Sequence, residues 1–348
     1  MDYYLKCLNC GAEYSKNYDK QICEKCDGIL EVIYKENRVD INYKGFWSFE
    51  KLMPNGNYKK LEVGNTRIIE DHKNKDLFLK LEIDNPTNSF KDRGSVIEVA
   101  KAKEYGFDTI VCASTGNMAY SLSYISKIYS MNIVVFISKD ANKDKIRDIE
   151  RVGDAKVIRV NGDFTKAQEL ALRYAKRRNL FLAGDYCYRK AAQSTMAFEI
   201  MYQIGKIDNI IVPVGNATLI SAIYKAYKRA YKMGIIDYMP RIFGVEARAC
   251  NPLYYAIKKG NIKYIKPNTK ADAIAVGYPT YWKEGVEAIK ESKGDILLVS
   301  DKEMKYKQEY LYKEFGLIAE LAGVASLAAF DKVKLKGKTI AIISGGNE

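Results

Sequence analysis

The chain has 348 residues, enough for about two domains of roughly 150 residues each, and 47% of its residues are hydrophobic. Its 56 Lys and Arg residues outnumber 43 Asp and Glu residues, but they are scattered along the chain, so we expect a solvated basic surface and no nucleic-acid partner. The single histidine, His72, lies in a run of charged residues, which argues against a hydrolytic triad or a histidine-ligated catalytic metal.

The sequence shows no membrane or export signal. The longest mostly apolar stretch, residues 317–330, contains Glu320 and is shorter than the roughly 20 residues that a membrane span needs. The first residues lack a basic region followed by an apolar core. We therefore expect a cytoplasmic protein with no membrane contact.

Two Cys-x2-Cys pairs, separated by twelve residues, stand at the N-terminus. They consist of Cys7, Cys10, Cys23 and Cys26. Each pair can present two thiolates from one tight turn, so the two pairs predict a tetrahedral zinc site in a ribbon-like module at residues 1–35. Four cysteines leave no ligand position open, so the zinc is expected to be structural. The alternative is two disulfides, which a reducing cytoplasm disfavours.

Beyond residue 60, apolar runs alternate with longer amphipathic segments. The predicted strands are Leu77–Glu82, Thr109–Cys112, Ile133–Ile137, Lys156–Val160, Asn209–Val214, Arg241–Val245, Ile296–Val299 and Thr339–Ile343. The predicted helices are Asp92–Tyr105, Met118–Ser130, Asn142–Val152, Thr165–Arg178, Ala191–Ile204, Leu219–Lys232, Lys302–Phe315 and Glu320–Val333. This alternation predicts an α/β fold with mainly parallel sheets covered by helices.

Small polar residues follow three of the predicted strands, at residues 114–117, 215–218 and 344–347. Hydroxyls, glycines and exposed amides at a helix N-terminus can bind an anion. Any one such joint is explained by helix capping alone. Three joints together with a reactive lysine indicate a phosphate-bearing cofactor and a second anion.

That lysine is Lys91, in the segment 85–94 with the sequence NPTNSFKDRG. The Asn-Pro and Thr-Asn-Ser residues predict a turn, and Asp92 predicts the start of a helix. Lys91 is then at the positive end of the helix dipole and next to Arg93. This environment disfavours an ammonium group and favours a neutral amine or a Schiff base.

Several motifs together resemble the pyridoxal-phosphate enzymes built like the tryptophan synthase β subunit and, among them, the threonine synthases. The matching segments are NPTNSFKDRG at 85–94, ASTGNMAYSLSYISK at 113–127, PVGNATLI at 213–220, residues 45–54, residues 64–66 and residues 193–200. The resemblance covers residues 1–347, since paired cysteines also precede some microbial threonine synthases. It implies a two-lobed catalytic region at 36–348, with a smaller lobe at about 88–182 inserted into the larger lobe, and a homodimer.

The resemblance implies a set of cofactor contacts. Lys91 is the Schiff-base lysine, Asn117 bonds the phenolic oxygen of pyridoxal phosphate, and Ser344 bonds its pyridine nitrogen. The cofactor phosphate is held by Gly215, Asn216, Ala217 and Thr218. A neutral hydroxyl at the pyridine nitrogen favours elimination and replacement at side-chain carbons over transamination.

The resemblance also implies substrate contacts, with Ser114 and Thr115 near the substrate carboxylate and Arg189 at a substrate phosphate. Four departures bear on the substrate. Ala183-Gly184 replaces an Asn-Ser pair of threonine synthases, the ending at 344–348 is closer to threonine and serine dehydratases, and Asn88 replaces a glycine. The segment 320–325 also resembles that of the dehydratases.

The implied reaction is that of threonine synthase, a lyase of amino-acid biosynthesis that converts O-phospho-L-homoserine and water to L-threonine and phosphate. One alternative is an ammonia-lyase acting on threonine or serine. Another is β-replacement on O-phosphoserine, as in cysteate synthase. A nucleic-acid-binding protein on a former enzyme fold is a fourth hypothesis, which an intact Lys91 motif disfavours.

Overall fold

The structure is a computed structural model that describes residues 2–35, 39–114, 116–139, 141, 143–153 and 155–346. The chain packs as two compact units. The first consists of Met1–Glu62 and Lys91–Gln193, and the second of Val63–Phe90 and Ser194–Glu348.

Strands and helices alternate along most of the described chain. The strands are β1 (Tyr3–Cys7), β2 (Glu13–Ser15), β3 (Leu30–Tyr34), β4 (Ile68–Glu70), β5 (Leu77–Leu81), β6 (Thr109–Ala113), β7 (Asn132–Ser138), β8 (Lys156–Val160), β9 (Phe181–Leu182), β10 (Asn209–Pro213), β11 (Arg241–Ala247), β12 (Ile296–Val299) and β13 (Thr339–Ile343). The α-helices are α1 (Lys91–Glu104), α2 (Asn117–Ile128), α3 (Lys143–Gly153), α4 (Phe164–Arg178), α5 (Cys187–Gln193), α6 (Thr195–Ile204), α7 (Thr218–Lys232), α8 (Pro252–Lys259), α9 (Trp282–Glu291), α10 (Asp301–Phe315) and α11 (Ala325–Phe330).

The first unit contains two sheets. A small antiparallel sheet has the order β2-β1-β3, and a parallel four-stranded sheet has the order β8-β7-β6-β9. Apolar residues of β6, β7 and α4 form its core, and Ile22 of the N-terminal segment packs into the same cluster. The N-terminal sheet is therefore joined to the four-stranded sheet by shared apolar packing.

The second unit contains one six-stranded sheet in the order β12-β11-β10-β13-β5-β4. All its pairs are parallel except the edge pair of β4 with β5. The central strand β13 is buried throughout, which matches its β-branched, apolar sequence. The carboxyl ends of β10 and β13 lead directly into residues 215–218 and 344–346.

The α/β fold with parallel sheets is confirmed, and eight predicted strands are present with ends that shift by at most two residues. Two predicted helices are wrong in extent. The one at Ala191–Ile204 is divided at Ser194 into α5 and α6, and the one at Glu320–Val333 is a 3-10 turn followed by the short α11. The predicted helix start at Asn142 lies outside the described residues. No helix in the described ranges is both long and apolar enough to cross a membrane.

Candidate active site

Lys91 is the first residue of α1, and its amine lies in a mostly enclosed position. The side chain is 17% exposed, and Nζ lies 3.5 Å from a carboxylate oxygen of Asp185. Burial lowers the pKa of Lys91; Asp185 raises it in opposition, and the positive charge of Arg189 lowers it further. Lys91 therefore releases its proton more readily than an exposed lysine, which favours attack on a carbonyl carbon and proton transfer.

The segment before Lys91 is fixed by backbone hydrogen bonds to the segment after β13. The amide of Phe90 donates to the carbonyl of Ser344 at 3.1 Å, and the amide of Gly346 donates to the carbonyl of Asn88 at 2.7 Å. Asn88, which replaces a glycine of the threonine synthase motif, has a φ of 54°. Asparagine tolerates this left-handed conformation better than most residues, so the turn is kept without glycine.

Ser114 shapes the loop between β6 and α2. Its Oγ accepts hydrogen bonds from the backbone amides of Gly116 at 3.1 Å and Ala119 at 3.0 Å. Asn117 is the first residue of α2 and is half-buried. Thr115 lies outside the described residues. The Ser114 hydroxyl thus accepts hydrogen bonds from two amides at a helix start, where backbone amides have no intrahelical partners.

The loop after β10, which the sequence analysis assigns to the cofactor phosphate, is closely packed and leads into a helix start. A Cβ atom on Gly215 would lie 2.8 Å from the carbonyl oxygen of Ala273, and Ala217 has a φ of 60°. Thr218 begins the 15-residue helix α7, and its buried Oγ1 has no hydrogen-bond partner among the described residues. A buried hydroxyl beside the amides of a helix start fits a phosphate group.

Asn216, within the same loop, is buried and held in place. Its side-chain oxygen accepts from the amide and the hydroxyl of Thr280, each at 3.2 Å, and its carbonyl accepts from the amide of Tyr281 at 3.0 Å. The loop is therefore formed by the chain's own contacts. A phosphate group bound there would meet a preorganised set of donors.

Arg189 lies on α5 and is completely buried. Its guanidinium donates to the carbonyls of Lys91 at 2.9 Å and Gly184 at 3.0 Å and to Ser95 Oγ at 3.0 Å, and it forms an ion pair with Glu98 Oε2 at 2.5 Å. The Arg189 guanidinium, which the sequence analysis assigns to a substrate phosphate, therefore takes part in an internal network of contacts. That assignment stays a prediction.

Glu98 is a residue near the lysine that sequence reasoning missed. It is buried and accepts hydrogen bonds from the amide of Gly184 at 2.9 Å and from Gln21 Nε2 at 3.2 Å, in addition to its ion pair with Arg189. Glu98 lies seven residues after Lys91, a spacing that puts both on one face of an α-helix. This spacing is the sequence signal that could have identified Glu98 as a neighbour of Lys91.

Of the predicted site residues, the first unit holds Lys91, Ser114, Asn117 and Arg189, and the second holds residues 215–218 and Ser344. Within the first unit, Lys91 and Arg189 are in direct contact. Within the second, Ser344 contacts Phe90, the residue before Lys91.

The four N-terminal cysteines converge. Their sulfur atoms all lie within 4.8 Å of one another, with 3.5 Å between Cys7 and Cys26 and 3.6 Å between Cys10 and Cys23. These separations are far longer than a disulfide bond of about 2.05 Å. They are close to the roughly 3.8 Å edge of a tetrahedron with zinc–sulfur bonds of about 2.3 Å.

The surroundings of these sulfurs also fit a metal. A Cβ atom on Gly28 would lie 2.8 Å from Cys7 Sγ, so a larger residue would crowd the cluster. The amide of Asn9 donates to Cys7 Sγ at 3.4 Å, and the hydroxyl of Tyr14 lies 3.0 Å from Cys23 Sγ. Such outer donors stabilise thiolate ligands.

Comparisons with known proteins identify a family and relatives that this chain resembles. Residues 60–346 match the family model described as pyridoxal-phosphate dependent enzyme. The chain is 35% identical to a threonine synthase of Methanosarcina acetivorans, covering 95% of this chain and 87% of that one. It is 33% identical to a threonine synthase of Methanocaldococcus jannaschii, with 95% and 88% covered.

Solved structures share the fold. A maize serine racemase has a TM-score of 0.72 at 22% identity, with 82% of this chain and 89% of that chain covered. A processed threonine deaminase from Solanum lycopersicum has a TM-score of 0.70 at 22% identity, with 81% and 84% covered.

Proposed function

Because the chain belongs to the family of pyridoxal-phosphate-dependent enzymes, we propose that it catalyses the threonine synthase reaction, in which O-phospho-L-homoserine and water give L-threonine and phosphate. The observation that carries the chemistry is the mostly enclosed Lys91 amine, whose pKa is lowered by burial at the start of α1. The substrate is supported by threonine synthases that match over 95% of the chain. The reaction is of the lyase type.

The cofactor contacts follow from the site residues. Pyridoxal phosphate, when bound, supplies an electron sink for negative charge that develops on the substrate's carbon atoms. We propose that Lys91 holds it covalently, that Asn117 and Ser344 orient its ring, and that residues 215–218 hold its phosphate. The buried Thr218 hydroxyl at the start of α7 supports the last assignment.

The chain's own proton carrier is Lys91. Once the substrate's amino group has replaced Lys91 on the cofactor, Nζ of the freed lysine would remove the proton from Cα of the substrate and then one from Cβ, and the nearby carboxylate of Asp185 would offset the positive charge that the amine acquires. Ser114 and Thr115 orient the substrate carboxylate. Loss of phosphate from Cγ, return of one proton to Cγ and one to Cα, and addition of water at Cβ would complete the proposed reaction.

One observation favours a second candidate, an ammonia-lyase acting on threonine or serine. Arg189, the expected contact of a substrate phosphate, is completely buried and paired with Glu98. Ala183 and Gly184 also lack the side-chain donors that an Asn-Ser pair would supply. A substrate without a phosphate would need neither a contact with Arg189 nor the donors of an Asn-Ser pair.

A substrate panel separates the candidates. Purified protein with added pyridoxal phosphate is incubated separately with O-phospho-L-homoserine, threonine, serine and O-phosphoserine, and phosphate, 2-oxo acids and amino acids are measured. We expect equal amounts of phosphate and threonine from phosphohomoserine. Protein that makes 2-oxobutyrate from threonine but releases no phosphate from phosphohomoserine would instead be an ammonia-lyase.

We also propose that residues 1–35 form a module held by one structural zinc ion on Cys7, Cys10, Cys23 and Cys26. The support is the convergence of the four sulfurs and the tight fit around Gly28. All four ligand positions are filled by thiolates. The metal therefore stabilises the module without taking part in the reaction.

A further inference from the structure

A buried glutamine links the cysteine module to the rest of the first unit. Gln21 lies two residues before Cys23 and is 2% exposed. Its Nε2 donates to the carbonyl of Leu182 at 2.8 Å and to Glu98 Oε1 at 3.2 Å, and its Oε1 accepts from the amide of Tyr188 at 3.2 Å. All of these contacts of the Gln21 amide thus reach outside the module.

The contacts of Gln21 lead directly to the lysine. Glu98 pairs with Arg189 at 2.5 Å, and Arg189 donates to the backbone carbonyl of Lys91 at 2.9 Å. Each member of this series is almost fully buried except Lys91. In an enclosed environment such contacts are strong, and an unpaired member is costly.

A second contact fastens the module to the same helix. Lys190, next to Arg189 on α5, pairs with Glu31 of β3 at 2.5 Å, and both side chains are buried. Tyr188, Arg189 and Lys190 are consecutive in α5. Tyr188 and Lys190 contact the module, and Arg189 between them contacts the backbone of Lys91. The module and the lysine are therefore attached to the same rigid element.

We propose that Gln21 is a positioning residue for Lys91, through which the N-terminal cysteine module fixes the geometry and charge around the catalytic amine. The proposal rests on the assignment of Lys91 as the cofactor lysine. It gives the module a role in the active site although none of its residues needs to touch the cofactor.

The charges around Lys91 give the expected direction. The ionisable groups that act on its amine are Asp185, Arg189 and Glu98. Burial raises the pKa of Glu98, whereas Arg189, the Gly184 amide and Gln21 lower it. Without the Gln21 amide, Glu98 holds its negative charge less well, so the charge of Arg189 is less compensated and the pKa of Lys91 falls.

The first test compares Gln21→Met with Tyr18→Phe. Methionine keeps the length of the side chain but lacks the amide. The control removes a hydrogen bond of 3.1 Å from Tyr18 to the carbonyl of Ile22, which stays inside the module. Pyridoxal phosphate is titrated into each protein across a pH series, and its visible absorbance gives the affinity and the pH at which the band is half formed.

We expect Gln21→Met to bind pyridoxal phosphate about threefold to tenfold more weakly at a pH above the midpoint, a change comparable to the net contribution of one ordinary hydrogen bond. Its midpoint should lie at lower pH, whereas both values should be unchanged in Tyr18→Phe. If both variants match the unmodified protein in affinity and midpoint, the proposal is overturned.

A second variant covers the case in which Gln21→Met does not fold. Glu98→Gln keeps the shape of the side chain but removes its charge, so it should also move the midpoint to lower pH. An unchanged midpoint in this variant would overturn the proposal by itself. Neither measurement needs an amino-acid substrate, so protein that binds the cofactor but releases no phosphate from phosphohomoserine would contradict the proposed function alone.

Discussion

At the residue scale, the position of Lys91 distinguishes it from the exposed lysines of this basic chain. Its amine is mostly enclosed and its pKa is lowered by burial, whereas most lysines on the surface remain protonated at neutral pH. A neutral amine is the reactive form toward an aldehyde. Lys91 should therefore carry the cofactor in preference to its neighbours.

The first prediction follows from this difference. Reduction of the yellow cofactor-bound protein with borohydride should fix the cofactor on a single peptide that contains Lys91. Lys91→Ala should bind no coloured cofactor and lose turnover by several orders of magnitude, because both the attachment point and the base are removed. The matched control is Lys103→Ala, which removes a half-exposed lysine from the same helix. A label on another lysine would contradict the assignment.

A second prediction concerns the buried pair of Arg189 and Glu98, both fully buried. Arg189→Met should lower the free energy of unfolding by about 3–5 kcal/mol, because it leaves the buried Glu98 charge without its opposite charge. Adding Glu98→Met should restore most of that loss. The control Arg67→Met breaks an ion pair with Asp84 in which the arginine is 61% exposed, and should cost at most about 1 kcal/mol. Urea unfolding gives the free energy of unfolding of the three variants and of the unmodified protein.

The same double variant addresses the substrate. If Arg189 contacts a substrate phosphate, the folded Arg189→Met/Glu98→Met protein should have a kcat/KM for phosphohomoserine reduced tenfold or more, as for the loss of a charge-assisted contact of about 1.5–3 kcal/mol. Unchanged kcat/KM would assign the arginine to the internal network alone.

The sequence predicted Lys91 and Arg189 as site residues but not Gln21 and Glu98, and the reason is physical. The ten-residue motif around Lys91 is a local feature, because its own residues determine a turn and a helix start. Gln21 and Glu98 are 77 residues apart in the chain and become neighbours only when the N-terminal segment packs on α1. No local pattern distinguishes Gln21 from an exposed glutamine.

At the element scale, short apolar runs predicted the strands well, because central parallel strands such as β10 and β13 are buried along their whole length. β8, β12 and β13 have the predicted bounds. The segment after residue 320 was harder, because its composition favours a helix throughout. A Cβ atom on Gly323 would lie 2.2 Å from the carbonyl of Gly345, so close packing against the segment after β13 sets the local conformation.

The two helices that the sequence analysis did not predict, α8 and α9, are short and lie in the second unit. The helix α8 has a local signal, since Asn251 precedes it, Pro252 is its first residue and Gly260 follows it in the left-handed conformation. Proline in the first turn and glycine after the last are typical helix ends. The omission was thus one of interpretation, whereas the Gly323 contact could not be known from local sequence.

At the scale of the whole molecule, the division into two units requires contacts between distant segments. Residues 1–62 join residues 91–193, while residues 63–90 join the C-terminal half. The predicted boundaries, an N-terminal module at 1–35 and a smaller lobe at about 88–182, stay a prediction about domains. Apolar packing of Ile22 and the buried contacts of Gln21 and Glu31 attach the N-terminal module to the first unit.

This organisation predicts that metal removal acts on one unit. The untagged protein should contain one zinc ion per chain, and a chelator should release it. Hydrogen exchange should then become faster in residues 2–35, because zinc binding contributes folding free energy to a small module. It should also become faster in α5, because the amide of Tyr188 donates to Gln21.

The second unit supplies the internal control, since the amides of β10 and β13 lie in its own buried sheet and should keep their slow exchange. Gly28→Ala should give a weaker form of the same result, because the added methyl group would lie 2.8 Å from Cys7 Sγ and disturb the sulfur cluster. Protein that contains no zinc and takes none up would refute the metal assignment. Uniformly faster exchange in both units would show that the metal stabilises the chain as a whole, and would contradict an effect confined to the first unit.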